Sequence, residues 1–227
     1  MALATVTEGH MDLNGLGYFR ANSLEIDLCD YGPKRTPLFA FNFMEVFKSL
    51  PFGKCKIEKT ENIKVNFETT RASDFALNAN FQVVGATGKL SAKNVYDLTR
   101  SGELVLTLLS IDVFDIITAA NRSPLDLREL NRLGVEARIV NQVVIAVSAK
   151  LSEALTSSTD VSVSAEKGEI KLSVVGRGSA SQRIDTEIPP SATFAYMLLN
   201  PEWDAVLPKR REKLVGGRFD QHSRIDP

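Results

Sequence analysis

The feature that most limits the fold is a two-residue alternation that recurs between 139 and 175. Val143, Ile145, Val147, Ala149 and Leu151 fall at odd positions, and Gln142, Ser148 and Lys150 share the other side with Val144 and Ala146. After a small polar gap, Val161, Val163 and Ala165 alternate with Ser162, Ser164 and Glu166, and Ile170, Leu172 and Val174 with Lys171 and Ser173. A period of two gives each strand one oily and one wetter face. Glu166-Lys167-Gly168-Glu169 has the composition of a tight turn, so 160–175 reads as a hairpin. Such a ribbon lies on a protein core, or faces lipid once enough copies close into a barrel.

A second ribbon precedes it. Ile63, Val65, Phe67 and Thr69 oppose Lys64, Asn66 and Glu68, then Phe75, Leu77, Ala79, Phe81 and Val83 oppose Asn78, Asn80 and Gln82. Shorter strands are expected at 24–28, 38–43, 89–96, 183–188 and 193–199, with a loop over 31–37 and a helical turn over 44–50. Phe39, Phe41 and Phe43 share a face and read as core. Leu104, Leu108, Ile111 and Phe114 are spaced for a helix over 103–120. Ser123-Pro124 before Leu127 and Leu130, with Gly134 beyond, predicts a second helix over 124–133. The expected fold is α+β, a twisted, mostly antiparallel sheet with helices packed on it. It forms one domain over 1–227 that ends in a basic, flexible tail from about 209.

Composition removes several function classes. Hydrophobic residues make up 44% and charged residues 24% of the 227, enough to bury a core. A net charge of -1 gives the whole molecule no pull toward nucleic acid, so attraction to an anionic surface must come from local clusters. Cys29 and Cys55 have neither metal-site spacing nor the number for a disulfide scaffold, and read as reduced thiols. The first residues lack a signal peptide's basic flank and apolar run. No run of about 18 apolar residues marks a transmembrane helix, so the chain is expected to be cytoplasmic when inactive. His10 and His222 lie near opposite ends, Gly176-Arg177-Gly178 is too short for a phosphate loop, and no nucleophile elbow occurs. No catalytic residue, cofactor or metal is expected.

Glu187-Ile188-Pro189-Pro190-Ser191-Ala192-Thr193-Phe194-Ala195-Tyr196 resembles the E-I-P-A-x-T-T-I-A-Y segment late in the membrane-permeabilising N-terminal domain of the gasdermin family. The helix ending near Leu133, the lead through Val135 and Glu136 into 143–151, and the placing of one ribbon early and one late are similar to the same domain. The likeness covers roughly 15–202. It is moderately specific at the proline segment and topological elsewhere. The chain departs from vertebrate members in ending too soon for their large inhibitory domain. It departs from bacterial members in that Cys29 comes too late to match their early lipidated cysteine. It looks most like the short fungal gasdermin-like regulators of cell death.

That resemblance implies a gasdermin N-terminal-domain-like fold and a pore-forming effector. Such a protein binds acidic phospholipids, assembles with itself or an allelic homologue into a ring, and moves to the plasma membrane. An incompatible allelic partner in allorecognition would be its trigger. Segments 74–84 and 141–151 approach the about 9–11 residues of a membrane-crossing strand. The lipid-facing stripe would be Ile63, Val65, Phe67, Phe75, Leu77, Phe81, Val83, Val143, Ile145, Val147, Val161, Val163, Ile170, Leu172 and Val174. Lipid-docking cations would be Lys34, Arg35, Lys54, Lys56, Lys59, Lys209, Arg210, Arg211 and Lys213, each contributing about 1 kcal/mol near an anionic bilayer. A solvated edge or tail explains the same lysines. The alternative reading is a non-lytic α+β module that binds or assembles with a protein.

Overall fold

A computed structural model describes residues 2–22, 24–37, 41–75, 81–85, 90–166, 169–176, 183–204 and 213–220. The strands are β1 (Ala2–Val6), β2 (His10–Leu13), β3 (Leu16–Arg20), β4 (Asp30–Arg35), β5 (Phe43–Met44), β6 (Lys48–Ser49) and β7 (Lys54–Val65). Helix α1 (Ala92–Ser101), β8 (Leu104–Ile111), α2 (Val113–Arg122), α3 (Pro124–Leu133) and β9 (Ala137–Ser148) follow. Then come α4 (Ala149–Ser157), β10 (Asp160–Glu166), β11 (Glu169–Val175), β12 (Arg183–Ile188), β13 (Thr193–Trp203) and β14 (Leu214–Asp220). The protein is α+β, mostly strand, with one mixed sheet.

Seven strands close a circuit. Antiparallel pairings run β1 to β2, β2 to β3, β3 to β13, β13 to β9, β9 to β8 and β8 to β7. β7 then returns to β1 in parallel, from Ala2↔Ile63 to Ala4↔Val65. One apolar cluster draws side chains from all seven, among them Ala4, Met11, Tyr18, Ile63, Leu106, Val144 and Met197. Phe75, Phe81 and Val95 join it from the segments between β7 and β8. A second cluster takes the opposite side chains of β3, β7, β8, β9 and β13, such as Leu109, Ile145 and Leu198, and packs them against α2, α3, α4 and the hairpin. Alternation in β8, β9 and β13 therefore divides two oils rather than oil from water.

β10, β11 and β12 form a wing. It joins the circuit where Lys54, Cys55 and Lys56 of β7 pair with Ser164, Val163 and Ser162. Val163, Leu172 and Val174 point into the second cluster. The turn falls where glycine and charge predicted it, with Glu166 opposite Glu169.

Several sequence expectations give way. The expected helix over 103–120 is strand up to Ile111, and only 113–122 is helical. Leu104, Leu106 and Leu108 enter one cluster while Leu109 and Ile111 enter the other, and a run buried on both faces mimics a helical pattern. Of the expected strand over 89–96, Lys89 lies outside the described residues and 92–96 begin α1, where Ser91 caps by accepting from Asn94 N at 3.2 Å. That helix stops at Gly102, whose φ of 84° suits the left-handed C-cap. β9 ends at Ser148, and Ala149 and Leu151 belong to α4, because the Ser148 hydroxyl caps the helix by accepting from Leu151 N at 3.4 Å.

The remaining differences lie nearer the ends. Residues 24–28 are not a strand, and the loop expected over 31–37 is β4 up to Arg35, with Tyr31, Gly32 and Pro33 paired to β9. In place of the expected turn over 44–50, β5 and β6 pair with β4. Of the segment 74–84, Asp74 and Phe75 end a 3-10 turn, 76–80 lie outside the described residues, and Val84 bridges Val147. Residues 214–220 of the expected tail are β14, a strand on β13.

Candidate functional site

The later ribbon runs from β9 through α4 to the β10–β11 hairpin. β9 is twelve residues long. One edge is occupied by β4 and then β8, the other by β13 and then Val84. Val143, Ile145 and Val147 are at most 1% exposed. Val161, Val163, Ile170, Leu172 and Val174 are buried in the same cluster. In the earlier ribbon, Ile63 and Val65 are buried inside the circuit with Phe75, Phe81 and Val83. Phe67 is half-buried, edge-on to Tyr96 at 5.3 Å between centroids. Leu77 lies outside the described residues. The proposed lipid-facing stripe is thus split between two cores.

The proposed docking cations are scattered. Lys34 is spent on Asp220 at 2.9 Å, and Arg35 on exposed Glu45 at 2.6 Å. Lys54 and Lys56 are exposed on one face of β7, Lys56 standing 3.9 Å from Asp160. Lys59 pairs with Glu61 at 2.7 Å. Lys213 is exposed, and Lys209, Arg210 and Arg211 lie outside the described residues.

Strand register adds two cations that alternation alone did not assign to docking. Lys54 pairs with Ser164, Ser164 with Lys171, and Lys171 with Glu187, so Lys171 stands on the same polar face. Arg183 joins it around a shallow recess lined by Ser164, Lys171, Ser173, Asp185 and Glu187. Hydrogen bonds from Arg183 and Ser173 hold Asp185 below the usual carboxylate range. The face therefore carries both signs. The signal that could have found it was the pairing of the two halves of the hairpin, since facing residues sum to 335.

The strands are fixed by buried polar ties. Arg20, 3% exposed, donates from Nε to Phe194 O at 3.2 Å and from Nη1 to Thr7 O at 2.8 Å and Asp74 O at 2.6 Å. Its guanidinium lies 4.0 Å from the centroid of Phe194. Burial lowers its pKa to about 9. One side chain thus binds the β1–β2 turn, the turn before residue 76 and β13. Tyr18 donates to Gln142 Oε1 at 2.7 Å across the circuit, and burial pushes its phenol up to about 12.

Asp126, on the first turn of α3, receives Tyr31 at 2.9 Å, Lys48 at 2.8 Å and Ser123. Burial pushes its pKa up, but these three donors outweigh it and hold the carboxylate below its ordinary range. Asp27 and Asp30 behave in the opposite way. Burial, then the nearby Asp30 and Glu25 charges, raises Asp27 to about 8, and burial raises Asp30 to about 6 despite the Ser49 hydroxyl and the Asp27 backbone N–H. Cys29 is buried, and desolvation pushes its thiol well up, which disfavours the reactive thiolate.

Among the described residues, no three or more His, Cys, Asp and Glu side chains are grouped so as to hold a metal ion. No helix among them is long and apolar enough to cross a membrane, which leaves crossing by strands open. No family model, no curated protein and no solved structure matches the chain.

Proposed function

We propose that this chain is a gasdermin-like pore-forming effector of cell death, which binds acidic membrane lipid, oligomerises and opens a β-barrel. The observation that carries the reading is the antiparallel run β7–β8–β9. Its outer members are twelve residues each, as long as a bilayer crossing needs. Inserted segments follow two of these strands. Residues 66–103, including α1, separate β7 from β8, and α4 separates β9 from β10. Straightening both inserts would give two hairpins whose backbone groups are all paired once neighbouring copies close the ring, as hydrocarbon requires. The proline segment that carries the family likeness joins the wing to the circuit: Ile188 ends β12, a 3-10 turn spans Pro190–Ala192, and β13 begins at Thr193. The exposed Lys54 and Lys56 are the best-placed docking cations in the proposed set. The trigger in this reading is an allelic partner.

Pairing along both edges of β9 favours the second reading, a non-lytic binding or assembly module whose ribbons stay folded. Dye release from vesicles with and without anionic lipid separates the two, with the protein alone and mixed with allelic variants. The pore reading expects leakage that depends on anionic lipid. Met197 and Gln142 face each other across β13 and β9, so the double variant M197C/Q142C staples β9 into the circuit. Oxidised, it should bind vesicles without leakage, and reduction should restore release. No leakage by the unmodified protein in any mixture would favour the module.

A further inference from the structure

Among the described residues, β12 and β14 each pair with a single strand and leave the other edge open. Open edges invite pairing with another chain, and charge is the usual defence. β12 is defended, with Arg183, Asp185 and Glu187 all exposed. β14 reads Leu-Val-Gly-Gly-Arg-Phe-Asp; it has neither lysine nor proline, and Arg218 is its one exposed charge. Val215 is 58% and Phe219 50% exposed. Helix α2 closes only the first position: Asn121 donates to Leu214 O and accepts from Leu214 N, both at 2.9 Å.

We propose that β14 is the interface of a two-fold symmetric dimer of this chain, formed by antiparallel pairing of two β14 strands about Gly217. In that register Val215 stands opposite Phe219 of the second copy, and Phe219 opposite Val215. Each strand thus meets its own complement, as a two-fold contact requires. Both glycines have a use at such a contact, since strand glycine marks close approach of another backbone. A Cβ on Gly217 would come within 2.6 Å of Leu199, so the Leu199 side chain already fills that space.

The other face of the strand supplies charge. A Cβ on Gly216 would lie 2.7 Å from Oε2 of Glu202, so this carboxylate reaches over the glycine toward the open edge. In the proposed register Arg218 of the second copy stands opposite Gly216. Glu202, the bare glycine and the second copy's Arg218 then form one row with no side chain between the charges. Within one copy Arg218 already bonds Glu202, but its side chain is 85% exposed and free to exchange partners. The dimer closes at two copies and is independent of the ring in the pore reading.

Sedimentation across the micromolar range tests it. The unmodified chain should form dimers. R218E and E202R each set like charges across the dyad twice and should weaken the dimer on the order of a hundredfold. An equimolar mixture of the two should restore it, because both cross-dyad rows regain opposite charges. A purely intramolecular role for the pair predicts no rescue on mixing. F219K should be monomeric with an unchanged circular dichroism spectrum, since its side chain is half exposed. A monomer at every concentration, a dimer surviving in F219K, or no recovery in the mixture would each overturn the proposal.

Discussion

The circuit and the wing are built from similar strands and held in different ways. β8, β9 and β13 are apolar on both faces and paired along both edges, with each face in a different core. The wing buries one face, shows polar side chains on the other, and joins the circuit through three residue pairs with β7. A segment with few shared hydrogen bonds and one wet face opens at lower free energy than one enclosed on all sides. The difference separates what sets global stability from what is free to move first.

The sharpest way to break the comparison is to untie the circuit alone. Arg20→Met removes three donors to backbone carbonyls and leaves Phe194 O, Thr7 O and Asp74 O without that partner. Phe194 O keeps Ala21 N at 3.2 Å, but three charge-assisted bonds in a desolvated site are lost, so the cost should be roughly 3 kcal/mol in urea unfolding. Arg183→Gln, which removes an exposed pair with Asp185 on the wing, should change stability by less than about 0.5 kcal/mol. Equal losses would mean that the wing and the circuit unfold as one.

Leu106→Ala and Leu172→Ala refine this, since both leucines are fully buried, one in each region. Each truncation should cost about 2–5 kcal/mol. Leu106→Ala should speed amide exchange throughout β7, β8 and β9. Leu172→Ala should speed exchange in β10–β12 while β9 keeps its protection. Uniform acceleration by Leu172→Ala would sink the idea of a separable wing.

The same contrast decides what could be read in advance. The hairpin 160–175 was legible because Val161, Val163, Leu172 and Val174 face oil while Ser164 and Lys171 face water, and a glycine turn fixes the register. β12 and α3 were legible for similar local reasons, α3 through Ser123, Pro124 and Gly134. β8 was not, because Leu104 to Ile111 is apolar throughout and periodicity cannot tell a doubly buried strand from a helix. β4 was hidden by Gly32 and Pro33, which read as loop, although Tyr31 and its neighbours pair with β9. Of the candidate site, the apolar stripe was visible but its division between two cores was not. That division depends on closure between Ala2–Ala4 and Ile63–Val65, a contact of high sequence separation.

Two pairs of carboxylates give the circuit's surroundings opposite responses to pH. Asp27, raised to about 8, and Asp30, raised to about 6, bind protons more tightly folded than unfolded. Their contribution is full below the unfolded value of about 4 and is lost as pH rises through the folded values, up to about pH 8. Asp126 and Asp220 are held below their ordinary range by hydrogen bonds that outweigh their burial. Their contribution is present above about pH 4 and lost as pH falls. Asp27→Asn should therefore flatten the decline in melting temperature between about pH 5 and 8 and leave the acid limb in place. An unchanged alkaline slope would show that Asp27 ionises as freely as in the unfolded chain.

The smallest effect separates neighbouring cations on β4. Lys34 and Asp220 have side chains only 16% exposed, and Arg138 shares the same carboxylate. Arg35 and Glu45 are more than half exposed. Water and salt screen the second pair, and ordering two long side chains offsets most of its attraction. Arg35→Gln should thus shift stability by about 0.5 kcal/mol or less, and the shift should vanish in high salt. Lys34→Gln leaves a half-buried carboxylate with Arg138 alone and should cost more, with a remainder that salt does not remove. If the two substitutions proved equal, the tie between β14 and the circuit would be no stronger than an ordinary surface ion pair.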